Sequence, residues 1–184
     1  RTYASRAQIV FNTVDLHFLR EKRESELTGK RERPQEHVSK NEELSIMKKA
    51  DASIVVSDYE QNLLRSLDDS INSRVIPLAG DIPGRTEGFD KRKNLVFIGG
   101  FMHTPNVDAV LYFVKEIWPL ITPALPDCEF WIVGSNMPDE LAQLAGERIK
   151  AIGFVPDLSD IFTQCKLSVA PLRFGAGIKG KVLT

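Results

Sequence analysis

Seven short runs of β-branched and aromatic residues, each bounded by turn residues, punctuate the chain: Ile9–Val14, Ser53–Ser57, Arg74–Leu78, Asn94–Gly99, Glu129–Val133, Ala151–Val155 and Leu167–Leu172. Runs of this kind predict strands. Helical spacing fills most of the intervals. The most regular begins at Thr104-Pro105, which predicts Thr104 as N-cap and Pro105 as the first helical residue. From there Val107, Val110, Leu111, Val114, Ile117, Trp118 and Ile121 fall on one face, the i, i+3, i+4, i+7 spacing of an amphipathic helix. Shorter helices are predicted over Asp58–Leu67, Asp139–Ala145 and Leu158–Cys165. The strands are near-continuously apolar rather than alternating, so they require cover on both faces. Strand and helix in alternation then predict an α/β fold of parallel sheets with right-handed crossovers.

The stretch 79–93, AGDIPGRTEGFDKRK, gathers Gly, Pro and charge without periodicity and reads as a boundary. It separates a C-terminal unit of four strands from an N-terminal unit of three, too few for a complete independent domain. The chain opens at Arg1 rather than a methionine and stops at Thr184 within a helical pattern, which reads as part of a longer protein. Between Arg20 and Glu43 lie fourteen charged residues, seven of each sign. Balanced signs favour a solvated helix pair over a membrane-facing surface, which would select Lys and Arg.

Composition narrows the function classes. With 24 basic against 25 acidic residues the net charge is −1, so the basic excess expected of a nucleic-acid binder is missing. Apolar runs fall well short of the ~20 residues a membrane span needs. Cys128, Cys165, His17, His37 and His103 show no metal-ligand spacing, and neither a metal nor a cofactor is expected. The two cysteines read as buried thiols in a reducing, cytoplasmic setting.

Three segments could carry chemistry. The run LSVAPLRFGAGIKGKV leads from a strand through a glycine-rich turn into a predicted helix, with Arg173, Lys179 and Lys181 around the turn. Glycines admit an anion close to the backbone, and the free N–H groups of a helix start attract phosphate. Gly175 to Lys181 also spells G-x-x-x-x-G-K, but Val182 stands where a P-loop needs Ser or Thr for Mg²⁺. A nucleotide binder of P-loop type and a glycine turn with two solvated lysines both remain open beside a phosphate site of another kind. The run VFIGGFMHTPN repeats the logic with a strand, the Gly99-Gly100 turn and a helix start; His103 reads as a surface residue there. Ligands of open α/β sheets bind beyond the carboxyl ends of the strands, where the turns at Gly99, Gly134, Val155 and Arg173 should crowd one edge. At the end of the first strand, TVDLH offers Asp15 and His17 either as ligand-facing groups or as ordinary helix-cap and surface residues. No D-x-D occurs, so a metal-held nucleotide-sugar site of that kind is unsupported.

Taken in order, FIGGFMHTPNVDA, FWIVG, IKAIGFVPDLSDIF and LSVAPLRFGAGIKGKVL resemble the C-terminal half of a group 1 (family 4) glycosyltransferase. NTVDLHFLREKRE and ADASIVVSDYE similarly resemble the second half of the N-terminal domain in bacterial members. The resemblance implies a GT-B fold, two Rossmann-like parallel sheets with helices on both faces: part of the N-terminal, acceptor-side domain over 1–85, and most of the C-terminal, donor-binding domain over 86–184. It implies metal-independent, retaining transfer from a nucleotide-sugar donor to a glycan or lipid-linked acceptor, in cell-surface polysaccharide synthesis, with peripheral membrane association of the full protein compatible with it. Carried over by residue, Gly99, Gly100, Arg173, Lys179 and Lys181 would meet the donor diphosphate, and the backbone at Phe154-Val155 the base. Asp15 or His17 would face the sugar and acceptor as the catalytic candidates. The family's two glutamates, seven residues apart, would begin about at Thr184, so residues 1–184 alone are not expected to turn over a donor. A non-catalytic nucleotide-binding or scaffold module of the same fold is the competing reading.

Overall fold

The computed structural model describes residues 6–29, 34–79 and 87–178. Contacts divide the chain into two compact units, residues 1–79 with 174–179, and residues 80–173 with 180–184. The segment after residue 173 thus groups with the N-terminal unit, although in sequence it continues the last strand of the other.

In the N-terminal unit the order is β1 (Val10–Asn12), α1 (His17–Thr28), α2 (Pro34–Lys49), β2 (Ala52–Val55), α3 (Asp58–Leu67) and β3 (Ser73–Val75). The three strands form a parallel sheet in the order β1-β2-β3. Its core is Leu16, Phe18, Leu19, Met47, Val55, Leu64, Ile71 and Ala176. Helix α3 matches its predicted span, because Ser57 caps it by accepting the Glu60 N–H and Asp58 and Glu60 suit its positive end. The charged stretch from Arg20 forms most of α1 and α2, with Lys22 and Glu26 an i,i+4 pair at 3.8 Å.

The second unit runs β4 (Asn94–Ile98), α4 (Thr104–Tyr112), α5 (Trp118–Ile121), β5 (Phe130–Val133), α6 (Asp139–Ala142), β6 (Ile149–Gly153), α7 (Ser159–Gln164) and β7 (Cys165–Ser168). All four strands are parallel, in the order β6-β5-β4-β7. Alternate residues serve opposite faces. Leu95, Phe97, Phe130 and Ile132 pack with Val110, Phe113 and Trp118, whereas Val96, Trp131 and Val133 pack with Ile161 and Cys165. Burial on both faces accounts for the unbroken apolar runs of β4 and β5.

Two elements depart from expectation for local reasons. The N-cap of α4 is His103, not Thr104, so Thr104 is already helical and Pro105 follows it within the first turn. The predicted helix face to Ile121 holds, but the backbone widens to a π-turn over Phe113–Ile117 before α5. Pro119 supplies the reason. It has no N–H to donate, and its ring would clash with the carbonyl four residues back in a regular helix. Strand β6 ends at Gly153, whose φ of +80° breaks the extended run before Phe154. Strand β7 ends at Ser168, ahead of a tight turn in which the Leu172 N–H donates to Ala170 O across Pro171.

Candidate functional site

In the second unit the chain moves from β4 to β5 to β6 in one direction, then returns to place β7 on the other flank of β4. Strand order therefore reverses between β4 and β7. A crevice beyond the carboxyl ends of the strands at such a reversal is where open α/β sheets bind ligands. The segments leaving these two strands are the Gly99-Gly100 turn and residues 169–173.

The first of these is built tightly. A Cβ on Gly99 would lie 2.8 Å from Asn106 Nδ2, and that buried amide donates to Gly100 O at 2.8 Å. Gly99 N–H donates to Val133 O at 3.0 Å and Phe101 N–H to Ser135 O at 2.9 Å, which ties the turn to the one after β5. Gly134 N–H in turn donates to Gly153 O at 2.8 Å. The turns at Gly99 and Gly134 thus stand side by side at one sheet edge, as the sequence suggests, with Gly153 at the end of β6 next to them. Gly100 is looser, with its nearest neighbour for a Cβ at 3.6 Å, and it is exposed. Phe154 just beyond β6 is 70% exposed, while Val155 packs among Val96, Trp131 and Ile161.

Arg173 spans the reversal. Its Nε donates to Asp108 Oδ2 at 2.9 Å, its Nη2 bonds Asp108 Oδ1, and the guanidinium lies over the Tyr112 ring at 4.9 Å. The Asp108 hydrogen bond holds the Arg173 pKa above its usual value. Bidentate pairing of this kind fixes an arginine in orientation as well as in charge. The sequence alone does not single out Asp108 or Asn106; both sit in the first turns of α4, where helix-start residues are usually read as caps. Lys179 and Lys181, with the predicted helix after the glycine-rich turn, lie outside the described residues.

The N-terminal unit brings together Asp15 and His17 after β1. Asp15 Oδ1 is 3.4 Å from His17 Nε2, and its Oδ2 is bound by Arg20 Nη1. Asp15 is partly buried; the His17 side chain is 59% exposed. The start of α1 has no capping side chain of its own. Glu43 on α2 serves instead, accepting His17 N–H and Phe18 N–H at 3.0 Å each. Those N–H groups are therefore committed to a carboxylate. In the sequence Arg20 and Glu43 look like members of a solvated charged stretch, and Glu60 like a surface carboxylate at a helix start, so none of the three is singled out there as a site residue.

Both cysteines are free and buried, as expected. Burial pushes the Cys165 thiol up to about 12 and raises Cys128 as well. Among the described residues no helix is long and apolar enough to cross a membrane.

A doubly covered parallel sheet with a reversal at β4/β7, in a chain that also forms a second parallel-sheet unit, is a fold of the GT-B type, and solved structures agree. The chain is similar to the crystal structure of TarM, with 17% identity and a TM-score of 0.69 over 90% of this chain and 32% of that one. A mutant of S. aureus TarM in complex with Fondaparinux, alpha-GlcNAc-glycerol and UDP is similar at 18% identity and a TM-score of 0.68, with the same coverage of both chains. The chain thus spans about a third of the length of these relatives. The profile of the family described as glycosyl transferases group 1 matches residues 92–184, just over half of the chain, and the chain belongs to that family. No curated protein matches it.

Proposed function

We propose that the chain is part of a retaining, metal-independent glycosyltransferase that takes a sugar from a nucleotide-sugar donor to a glycan or lipid-linked acceptor. The observation that carries this reading is the β4/β7 reversal, with a glycine turn and a helix start on one side and Arg173 on the other. A departing nucleoside diphosphate gathers negative charge, and fixed cations with backbone N–H groups stabilise it without a metal. In this reading Gly99, Gly100, Arg173, Lys179 and Lys181 receive the diphosphate, and the exposed Phe154 with Val155 receives the base. Asp15 and His17 serve the sugar and acceptor. Arg173 then exchanges or shares its Asp108 contact when the diphosphate arrives. Unpaired thiols fit a reducing compartment, and we place the protein in the bacterial cytoplasm, in surface-polysaccharide synthesis.

The test is a binding panel of UDP, GDP, dTDP and ATP on the full-length protein, with and without Mg²⁺, read as thermal shift. One sugar-carrier nucleotide should raise the midpoint equally in both conditions, and Arg173→Ala should weaken its binding by about tenfold, the effect of one lost charge-assisted contact. Binding of ATP alone and only with Mg²⁺ would replace this reading with a P-loop one.

A further inference from the structure

Glu60 sits in the first turn of α3, where a carboxylate suits the helix dipole and usually faces water. This one is turned inward and is 1% exposed. Its Oε1 accepts the N–H of Gly177, 117 residues away, at 2.9 Å. Its Oε2 is buried and has no hydrogen-bond partner among the described residues. A buried carboxyl satisfied on one side only opposes folding, and an apolar side chain of similar size would pack there at less cost. Stability alone therefore does not account for the residue.

What it holds is the glycine-rich segment, and it does so with two helpers. Arg23, stacked over the Tyr59 ring, donates from Nη1 to Gly175 O at 2.6 Å. Ala176 is 8% exposed among Leu16, Phe18 and Leu64. Gly177 has φ of +68°, and a Cβ there would lie 2.6 Å from Val14 O and 3.1 Å from Asp15 Cβ. Three successive residues are thus fixed by a cation on a carbonyl, an apolar socket and a carboxylate on an N–H. Only the last acts at Gly177, the residue in the left-handed conformation.

We propose that Glu60 is a positioning residue for donor binding: by holding the Gly177 N–H it fixes the glycine-rich segment Gly175–Gly177 in one conformation, on which binding of the diphosphate depends. The proposal rests on the donor reading above. It makes Glu60 act through Gly177 rather than by touching the donor.

The experiment uses the full-length protein with UDP, GDP and dTDP as probes, measured by calorimetry well below the thermal midpoint. Glu60→Leu should weaken the nucleotide that binds the wild type by about tenfold, the loss expected when one orienting contact to a binding loop is removed. Glu60→Gln keeps an acceptor oxygen and should restore affinity to within about threefold. Hydrogen exchange supplies a readout independent of the donor. The Gly177 amide should be protected in the wild type and Glu60→Gln, and exchange freely in Glu60→Leu. Gly177→Ala attacks the same contact from the other side and should weaken binding comparably, so the proposal stays testable if Glu60→Leu does not fold. If the wild type binds a nucleotide and both Glu60→Leu and Gly177→Ala bind it equally well, the positioning role is overturned and the donor reading stands. If the wild type binds none of the three, the donor reading fails and takes this proposal with it.

Discussion

Replacing Gly134 with alanine tests the packing of the candidate donor edge most directly. Gly134 leaves β5 with φ of +154°, and a Cβ there would lie 2.8 Å from the Gly99 carbonyl carbon, closer still to its oxygen, and 3.0 Å from Phe101 Cε2. The clash is with backbone, so no rotamer change relieves it. The two turns must separate by about 1.5 Å to restore ordinary van der Waals distance. Three hydrogen bonds cross that gap or flank it: Gly99 N–H to Val133 O, Phe101 N–H to Ser135 O and Gly134 N–H to Gly153 O. Weakening one or two of them costs about 1 kcal/mol each, and the backbone conformation adds about 1–2 kcal/mol for a residue with a side chain. Gly134→Ala should therefore destabilise this unit by about 3 kcal/mol. With a urea slope of about 1.5 kcal/mol per molar, the midpoint falls by about 2 M. Both tryptophans of the chain, Trp118 and Trp131, lie in this unit, so indole fluorescence follows its unfolding. Gly146 is the control, since a Cβ there meets nothing within 4 Å. Its alanine variant should stay within about 0.5 kcal/mol of the wild type. A Gly134→Ala midpoint within about 0.3 M of the wild type, on that same urea slope, would refute the argument from backbone clash.

Two further outcomes follow from charge and burial. The Lys48 ammonium beside Asp68, with the Ser70 hydroxyl and N–H, lowers the Asp68 carboxyl from 3.8 to about 2. A depressed carboxylate stabilises the fold above its unfolded value and loses that contribution as pH falls from about 4 through about 2. Carboxyl NMR should place the Asp68 midpoint near 2, and Lys48→Ala should move it up and flatten the acid limb of stability; an unchanged midpoint would exclude the pair as the cause. Separately, a thiol raised to about 12 carries almost no thiolate at pH 8, so Cys165 should resist alkylation in the native protein and react once urea unfolds it. Prompt native labelling of Cys165 would refute this expectation.

The elements whose cause is local were legible in the sequence. Helix α3 keeps its predicted span, Asp58–Leu67, and the apolar runs of β4 and β5 need no partner to be recognised. Strand ends were read less well because hydrophobicity continues past the hydrogen bonds: Ile76 still donates to Val55 O beyond β3, but Pro77 cannot extend the ladder. The π-turn had a sequence signal in Pro119, masked by a helix face that keeps its spacing through it. At the site, glycine turns and the Asp15–His17 pair are visible as motifs. Asp108, Asn106, Glu43 and Glu60 are not, since each is defined by an acceptor or donor brought from elsewhere in the chain.

Because Ala176 fills the N-terminal core and Gly175 and Gly177 are bound by Arg23 and Glu60, that core is closed by residues made about a hundred positions after β3. On a ribosome adding about 5–20 residues per second, the first unit waits roughly 5–20 s for its last piece. During that wait Leu16, Phe18 and Leu64 border an open socket and the Glu60 carboxyl stands without the N–H it receives in the finished protein. The late closure makes this unit slow to complete and exposes it to chaperones, whereas the four-stranded unit holds its own core within one continuous stretch of chain.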